Sequence, residues 1–332
     1  MAFRIGLNPY GLAYAVGLQG AGTPRANPSP IGLAGFMRIA REVDARCLEI
    51  HAPWLDGAAA AELEGLGAEC AAAEMTPILS TGLTQAPGET LAAVIALARV
   101  IGAPLVRLGL TPVLEGSRAA WGARWSEMVA HAKETLAREA RRAADAGLAI
   151  AIEDHQDFGS EELVAMAESA GPNVGVVFDT GNPFAVGEDP VAFARRAAHR
   201  IRHVHLKDYR AQFTGDGYRL VRCAIGDGAV PFDEIREVLA PYGTVTASIE
   251  PGALDARHIR LFTAEWWRGY PPRDAAELGR ALGRLRASRF ADDEACATPW
   301  ERHVAPGEIV EYELAQVRRS VENMRRLQAE IT

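Results

Sequence analysis

Short runs of β-branched and other apolar residues alternate along this chain with longer alanine-rich stretches whose apolar positions recur at i, i+3 and i+4. The short runs predict strands at 3–7 (FRIGL), 47–51 (CLEIH), 77–81 (PILST), 105–110 (LVRLGL), 148–154 (LAIAIED), 174–180 (VGVVFDT), 201–207 (IRHVHLK) and 245–250 (VTASIE). The longer stretches predict helices that include 32–45, 89–102, 126–147 and 191–200. A strand followed by a helix, repeated eight times within about 250 residues, predicts an α/β protein built as a (β/α)8 TIM barrel. A doubly wound open sheet shares the alternation, but no GxGxxG follows the first strand.

Two segments depart from the plain repeat. Residues 11–32 form a long Gly/Pro-rich connection after the first strand, at the end where such barrels place their active sites. It reads either as a lid or as a disordered surface loop. After the eighth strand some 80 residues remain, ending in an amphipathic helix around 308–330. The chain therefore divides into a catalytic barrel at 1–258 and a C-terminal helical extension at 259–332. The cluster Trp266, Trp267 and Tyr270 is too apolar to leave in water, so the extension packs on the barrel or on a second subunit of a homo-oligomer.

Against this apolar background, four strand ends carry polar groups that a buried strand does not need. They are Glu153, Asp179, His205 and Glu250, with equal intervals from 153 to 179 and from 179 to 205. In a closed barrel these ends converge on one cavity. Three carboxylates and an imidazole make a hard, oxygen-rich site for one divalent cation, with Mn²⁺ favoured, Mg²⁺ or Co²⁺ also suited, and Zn²⁺ still open. Taken singly, each residue has a plainer reading as a helix cap or an ion-pair partner. Their common register on four strands favours the metal site.

A metal beside two glutamates suits proton abstraction next to a carbonyl. A bound cation acidifies the carbon-bound hydrogen of a ketose, and Glu153 and Glu250 can take and return the proton. Return to the neighbouring carbon is isomerisation; return to the same carbon from the other side is epimerisation. Lys207 and His155 complete the candidate catalytic set, and His51, Trp54, Arg107 and Asn182 are candidate substrate contacts. Lys207 reads equally as a ligand for a substrate carboxylate or as an ion pair with Asp208 or Glu153. Arg107 reads as the partner of a buried carboxylate or as a substrate contact. Glu49 is a further inward polar candidate, and His203, deeper along its strand, reads as a hydrogen-bonded layer residue. GDGAVPFDEI (226–235) reads as a glycine turn leading into a helix start at Pro231 to Asp233.

Composition narrows the partners. The 332 residues are 48% hydrophobic and 23% charged, with a net charge of −8 and no basic run, so nucleic acid is not expected. No apolar stretch approaches a membrane span. Cys47, Cys70, Cys223 and Cys296 lie far apart without a CxxC pair, which fits a reducing compartment. With no leader pattern before FRIGLNPYG, a cytoplasmic protein is expected. The expected partner is a small carbohydrate, and no phosphate cradle of glycines is evident.

The motifs AIEDHQD, VVFDTGN, HVHLKD, GDGAVPFDEI and SIEPG, between residues 148 and 252, together resemble the xylose-isomerase-like barrel superfamily of sugar isomerases and epimerases. That superfamily also includes inosose dehydratases and the AP endonuclease family 2 type. The resemblance implies Glu153, Asp179, His205 and Glu250 as metal ligands, with the two glutamates doubling as acid and base. Many relatives carry a histidine where this chain has Asn182, which sets it apart from the trinuclear zinc endonucleases. The expected activity is a metal-dependent sugar isomerase or epimerase. The alternative is a lyase using the same site, whether dehydratase, decarboxylase or eliminating deglycosidase, on an oxidised sugar or sugar acid. A metal-binding carbohydrate sensor without turnover is the reading from outside enzymology.

Overall fold

The computed structural model describes residues 3–83 and 90–329. Seven strands come first: β1 (Phe3–Leu7), β2 (Cys47–His51), β3 (Thr76–Gly82), β4 (Leu105–Gly109), β5 (Ala149–Glu153), β6 (Val174–Asp179) and β7 (Ile201–Leu206). A hairpin of β8 (Tyr209–Phe213) and β9 (Tyr218–Arg222) intervenes before β10 (Val245–Ile249) and the short β11 (Arg257–Ile259). The strands β1 to β7 and β10 close into a parallel barrel in the order β1-β10-β7-β6-β5-β4-β3-β2. These are the eight strands expected from the sequence, so the (β/α)8 architecture holds.

The barrel strands are apolar because both faces are covered, one by the packed interior and the other by helices. Every residue of β6 is buried. The helix Ala123–Asp145 shows the complementary pattern, with Ala132, Leu136, Glu139, Ala140 and Ala143 on its inner side. Helix starts are set locally: Asp189 accepts hydrogen bonds from Val191 N and Ala192 N, and Pro190 occupies the first turn. The helix expected at 89–102 spans Leu91–Val100; its expected first residue, like the expected end at 330, lies outside the described residues.

Residues 208–222 and 257–259 form a structure the hydrophobic pattern did not predict, an antiparallel sheet in the order β11-β9-β8. It leaves the barrel after β7, and the turn that follows is fixed by Asp208. The Asp208 carboxylate accepts hydrogen bonds from the backbone N–H groups of Tyr209, Gly226, Gly228 and Val230 at 2.9 to 3.0 Å. A Cβ at Gly228 would sit 2.3 Å from Asp208 Oδ1, so only glycine permits this approach. The GDGAVPF segment is therefore a carboxylate-held turn that delivers the chain to the helix Phe232–Leu239.

The expected boundary at 258 falls inside β11, which pairs with β9. Trp266, Tyr270, Leu285, Val317 and Met324 lie in the same apolar cluster as the barrel strands, so the extension packs on its own barrel. Tyr270 stacks on Trp266 at 4.3 Å, with the Arg118 guanidinium 3.8 Å from the Tyr270 ring centre. The last helix, Pro306–Ala329, covers the seam between β10 and β1, where Gln328 Nε2 donates to Phe3 O at 2.8 Å. No helix among the described residues is long and apolar enough to cross a membrane.

The 11–32 segment is ordered by that same helix. Glu313 is fully buried and accepts from Tyr14 N, Ala15 N and Ala253 N at 3.1, 2.9 and 3.3 Å. Residues 11–16 are buried, and Ala13, Leu18 and Gln19 wall the cavity at the barrel mouth. Replacing Glu313 by alanine strands three inward amides and should lower unfolding free energy by about 3 kcal/mol. Urea denaturation checks this, and a change below about 0.5 kcal/mol contradicts the anchoring role.

Candidate metal centre

β5, β6, β7 and β10 are hydrogen-bonded neighbours, and their registers align the ends that carry the polar groups. Asp179 pairs with His205 across β6 and β7, Ser248 pairs with His205 across β10, and Glu153 pairs with Val177. Ligand atoms of Glu153, Asp179, His205 and Glu250 consequently lie within 4.8 Å of one another, all buried. His205 Nδ1 is 2.8 Å from Glu153 Oε1 and 3.2 Å from Glu250 Oε2. Its other nitrogen, Nε2, is 2.6 Å from Glu49 Oε1 on β2. Glu49 thus holds the far side of the imidazole and turns Nδ1 toward the carboxylates, the arrangement in which an outer carboxylate orients a metal-binding histidine.

Beneath this layer lies His203, where β7 enters the barrel. Its Nδ1 meets Thr246 Oγ1 at 2.7 Å, and its Nε2 meets Ser248 Oγ at 3.0 Å and Glu49 Oε1 at 3.1 Å. The period-two stripe of His203, His205 and Lys207 is thus three depths of one polar column. Asn8, just past β1, donates from Nδ2 to Glu49 Oε1 at 3.2 Å and completes the support.

Three carboxylates this close repel one another, and the structure balances them with cations. The Arg107 guanidinium pairs with Glu153 Oε2, and the Lys207 ammonium bridges Asp179 Oδ2 and Glu250 Oε1, the latter at 2.7 Å. These are not the partners expected for Lys207: Asp208 is taken by the backbone amides of Tyr209, Gly226, Gly228 and Val230, and Glu153 by Arg107 and His205. Burial works to raise the Glu153 carboxyl, but Arg107 and His205 override it and hold the group well below the usual carboxylate range. At Glu250 burial acts the same way and is overridden by Lys207 and His205. Burial alone would lower His205, yet Glu49 and Glu153 raise it well above its ordinary value.

A cavity of about 280 Å³ opens above the cluster, walled by Glu153, Glu250, Arg107 and His155 among others. His155 is pushed down to about 4, mainly by burial, so its imidazole is neutral at neutral pH. The next residue, Gln156, has φ of +104°, a conformation that favours glycine. It is clamped by Glu115 N to Oε1 at 2.9 Å and by Nε2 to Asn182 Oδ1 at 3.2 Å, which fixes the direction of His155.

The other candidate contacts lie apart from this wall. Asn182 is buried and uses its amide on Asp154 O and Gln156, and it does not line the cavity. His51 and Trp54 pack edge to face at 5.8 Å, and His51 meets Tyr10, a cavity residue, at 6.2 Å. Sequence reasoning missed Gln19, Arg222 and Arg257, which also line the cavity. The hairpin carrying Arg222 was detectable, since YRAQF and YRLVR flank a four-residue glycine-containing turn.

The donor set fits one divalent ion: oxygen-rich, buried, and furnished with an oriented imidazole. Ion binding requires the Nδ1 proton of His205 to leave. Because the folded protein holds that proton more tightly than a free imidazole, metal affinity should fall as pH falls, by about tenfold per unit while one proton is displaced. Mn²⁺ titrations between pH 5.5 and 7.5, with pH-stat detection of the released proton, check this; a pH-independent affinity contradicts it. Glu49→Gln should weaken Mn²⁺ binding by about 10- to 100-fold while the barrel stays folded, as read by calorimetry and circular dichroism.

A family profile described as xylose isomerase-like TIM barrel matches residues 37–270. An inosose dehydratase of Clostridium botulinum (strain Alaska E43 / Type E3) is 34% identical over 113 residues, covering 30% of this chain and 38% of that protein. The rhizopine catabolism protein MocC of Rhizobium meliloti is 35% identical over 122 residues, covering 31% and 36%. The chain thus spans less than half the length of these curated relatives. Among solved structures, a D-psicose 3-epimerase determined in the presence of D-fructose superposes with a TM-score of 0.51 at 17% identity, covering 76% of this chain and 90% of that one. The IolI protein with a bound zinc atom gives 0.51 at 14% identity, covering 86% and 96%. These two likenesses are likenesses of fold. On the match to residues 37–270, the chain belongs to the xylose isomerase-like TIM barrel family.

Proposed function

We propose that the protein is a divalent-metal-dependent enzyme that removes the proton beside the carbonyl of a small sugar-derived ketone. The observation that carries this reading is the placement of Glu153 and Glu250. Both face the cavity, both lie within ligand distance of His205 Nδ1, and they arrive from strands separated by β6 and β7. Glu153, Asp179, His205 and Glu250 would hold the ion. When bound, it would polarise the substrate carbonyl and stabilise the negative charge that develops next to it.

The protein's own groups supply the proton transfers. Glu153 and Glu250 are ionised, so either can accept the carbon-bound proton, and neither can give one before it has accepted. Lys207 stays cationic: burial would lower it, but Asp179 and Glu250 raise it well above its ordinary value. It therefore steadies charge at Glu250. His155, neutral in the wall, offers an N–H to a substrate hydroxyl. Arg107, also in the wall, holds Glu153 in place through its outer oxygen.

After proton removal the enediolate has two fates. In the first, the glutamate hands its proton to a departing β-hydroxyl, and water leaves. The inosose dehydratases among the relatives favour this dehydratase reading, a member of the lyase class. In the second, the proton returns to carbon, giving an isomerase or epimerase. That fate is favoured by the shared cavity, in which the glutamate that accepted the proton can return it to the neighbouring carbon; return from the opposite side requires the second glutamate to take a proton from water first.

Incubation of the Mn²⁺-loaded protein in D₂O with inosose and a panel of ketoses separates these outcomes. Elimination gives a product lighter by one water, whereas isomerisation or epimerisation conserves the carbon skeleton and leaves deuterium in recovered sugar. No exchange with any ketone rules out the shared first step. Glu250→Gln should lower turnover by about 10²- to 10⁴-fold with the fold retained. Steady-state kinetics check this, and undiminished turnover removes the assigned proton-transfer role.

A further inference from the structure

The cations of the cavity are not all used by the carboxylates. Arg107 is matched to Glu153, and Lys207 is matched to Asp179 and Glu250. Two further arginines are matched only loosely or not at all. Arg222, at the end of β9, is 7% exposed, and its one ion-pair contact among the described residues is Glu250 Oε1 at 3.7 Å. Its Nε and Nη1 are buried without a hydrogen-bond partner among the described residues. Arg257, which opens β11, makes no ion pair within 4.0 Å among the described residues, and its Nε is also buried and unsatisfied. Glu115 and Asp255 act on Arg257 from beyond ion-pair distance, and Glu115 Oε1 is already taken by His258 N at 3.0 Å.

Gln19 belongs with them. It is 6% exposed, and both its amide nitrogen and its amide oxygen lack partners among the described residues. Gln19, Arg222 and Arg257 all line the cavity that Glu153 and Glu250 also line. Guanidinium nitrogens held out of water without an acceptor are costly, and native proteins keep few unsatisfied buried polar groups. The planar guanidinium fork matches an oxyanion with paired oxygens. A divalent ion that displaces the His205 proton would still add net positive charge beside Glu153, Asp179 and Glu250, leaving these arginines with less counter-charge.

We propose that Arg222, Arg257 and Gln19 form an anion-binding subsite, so that the substrate is a keto-sugar derivative with a carboxylate or phosphate at the end remote from its carbonyl. The inference rests on the metal-dependent reading of the cavity for the placement of the carbonyl end. The subsite is built from β9, β11 and the segment after β1, all outside the barrel strands, so it can recognise the remote group independently of the ion.

Isothermal titration of the Mn²⁺-loaded protein with D-fructose, D-fructuronate and D-fructose 6-phosphate tests it, since the three share a skeleton and differ in the terminal group. At least one charged sugar should bind ten times more tightly than fructose, and whichever does so identifies the anion. Arg257→Gln should remove about tenfold of that preference while leaving fructose binding unchanged, and Arg222→Gln should remove a similar share of it. If Arg222→Gln fails to fold by circular dichroism, Arg257→Gln and Gln19→Leu decide the matter. Equal affinity for the three sugars, binding by none of them, or a preference that survives Arg257→Gln overturns the subsite. Mn²⁺ uptake is read in parallel: its absence would sink the metal centre, while a charge preference lost in Arg257→Gln would still establish the anion subsite.

Discussion

Mutual repulsion among buried carboxylates is the constraint on which this structure depends. Glu49, Glu153, Asp179 and Glu250 lie buried together at one end of the barrel. Glu49, Glu153 and Glu250 could not be held ionised there without compensation, and at Asp179 burial prevails over Lys207 and raises the carboxyl. The fold supplies that compensation from fixed elements: Arg107 from β4, His205 from β7, and Lys207 from just past the end of β7. A divalent ion fits the same electrostatic logic, because it can replace the His205 proton at the centre of the cluster. Asp208, next to Lys207, is spent on holding the turn that leads to Phe232, so two adjacent residues serve the site and the scaffold.

The second constraint is access. A centre at the mouth of a barrel would be open to water if the first connection were a loose loop. Here the connection after β1 is drawn down by Glu313 from the final helix, and the β8-β9-β11 sheet carries Arg222 and Arg257 into the cavity wall. The extension is thereby coupled to the chemistry at one remove: it anchors the segment that walls the cavity. Gln156, held in a glycine-like conformation, is a local instance of the same principle, backbone strain used to aim the residue beside it.

Much of this was legible in the sequence, and for a definite reason. A carboxylate at the end of AIAIE, VGVVFD or VTASIE interrupts a run that burial on both faces keeps apolar, so each stands out against its own strand. The equal spacing of 153, 179 and 205 reports the barrel repeat. Lys207 was visible as an inward cation, but its partners depend on which strands neighbour β7, and closure of the sheet decides that. Glu49 was visible as an inward polar residue, while its function of orienting His205 arises from a contact across 156 positions of chain. Arg222 and Arg257 left no local signature as site residues: they become one only when β9 pairs with β11. The segment 11–32 reads as a lid or a free loop until Glu313, some 300 positions away, is known to bind its backbone.

Anomalous diffraction from crystals grown with Mn²⁺, collected on both sides of the manganese absorption edge, tests the central claim most directly. The account predicts a single strong peak enclosed by Glu153, Asp179, His205 Nδ1 and Glu250, with Glu49 still bonded to His205 Nε2. A peak elsewhere on the molecule, or no peak at saturating Mn²⁺, would contradict it.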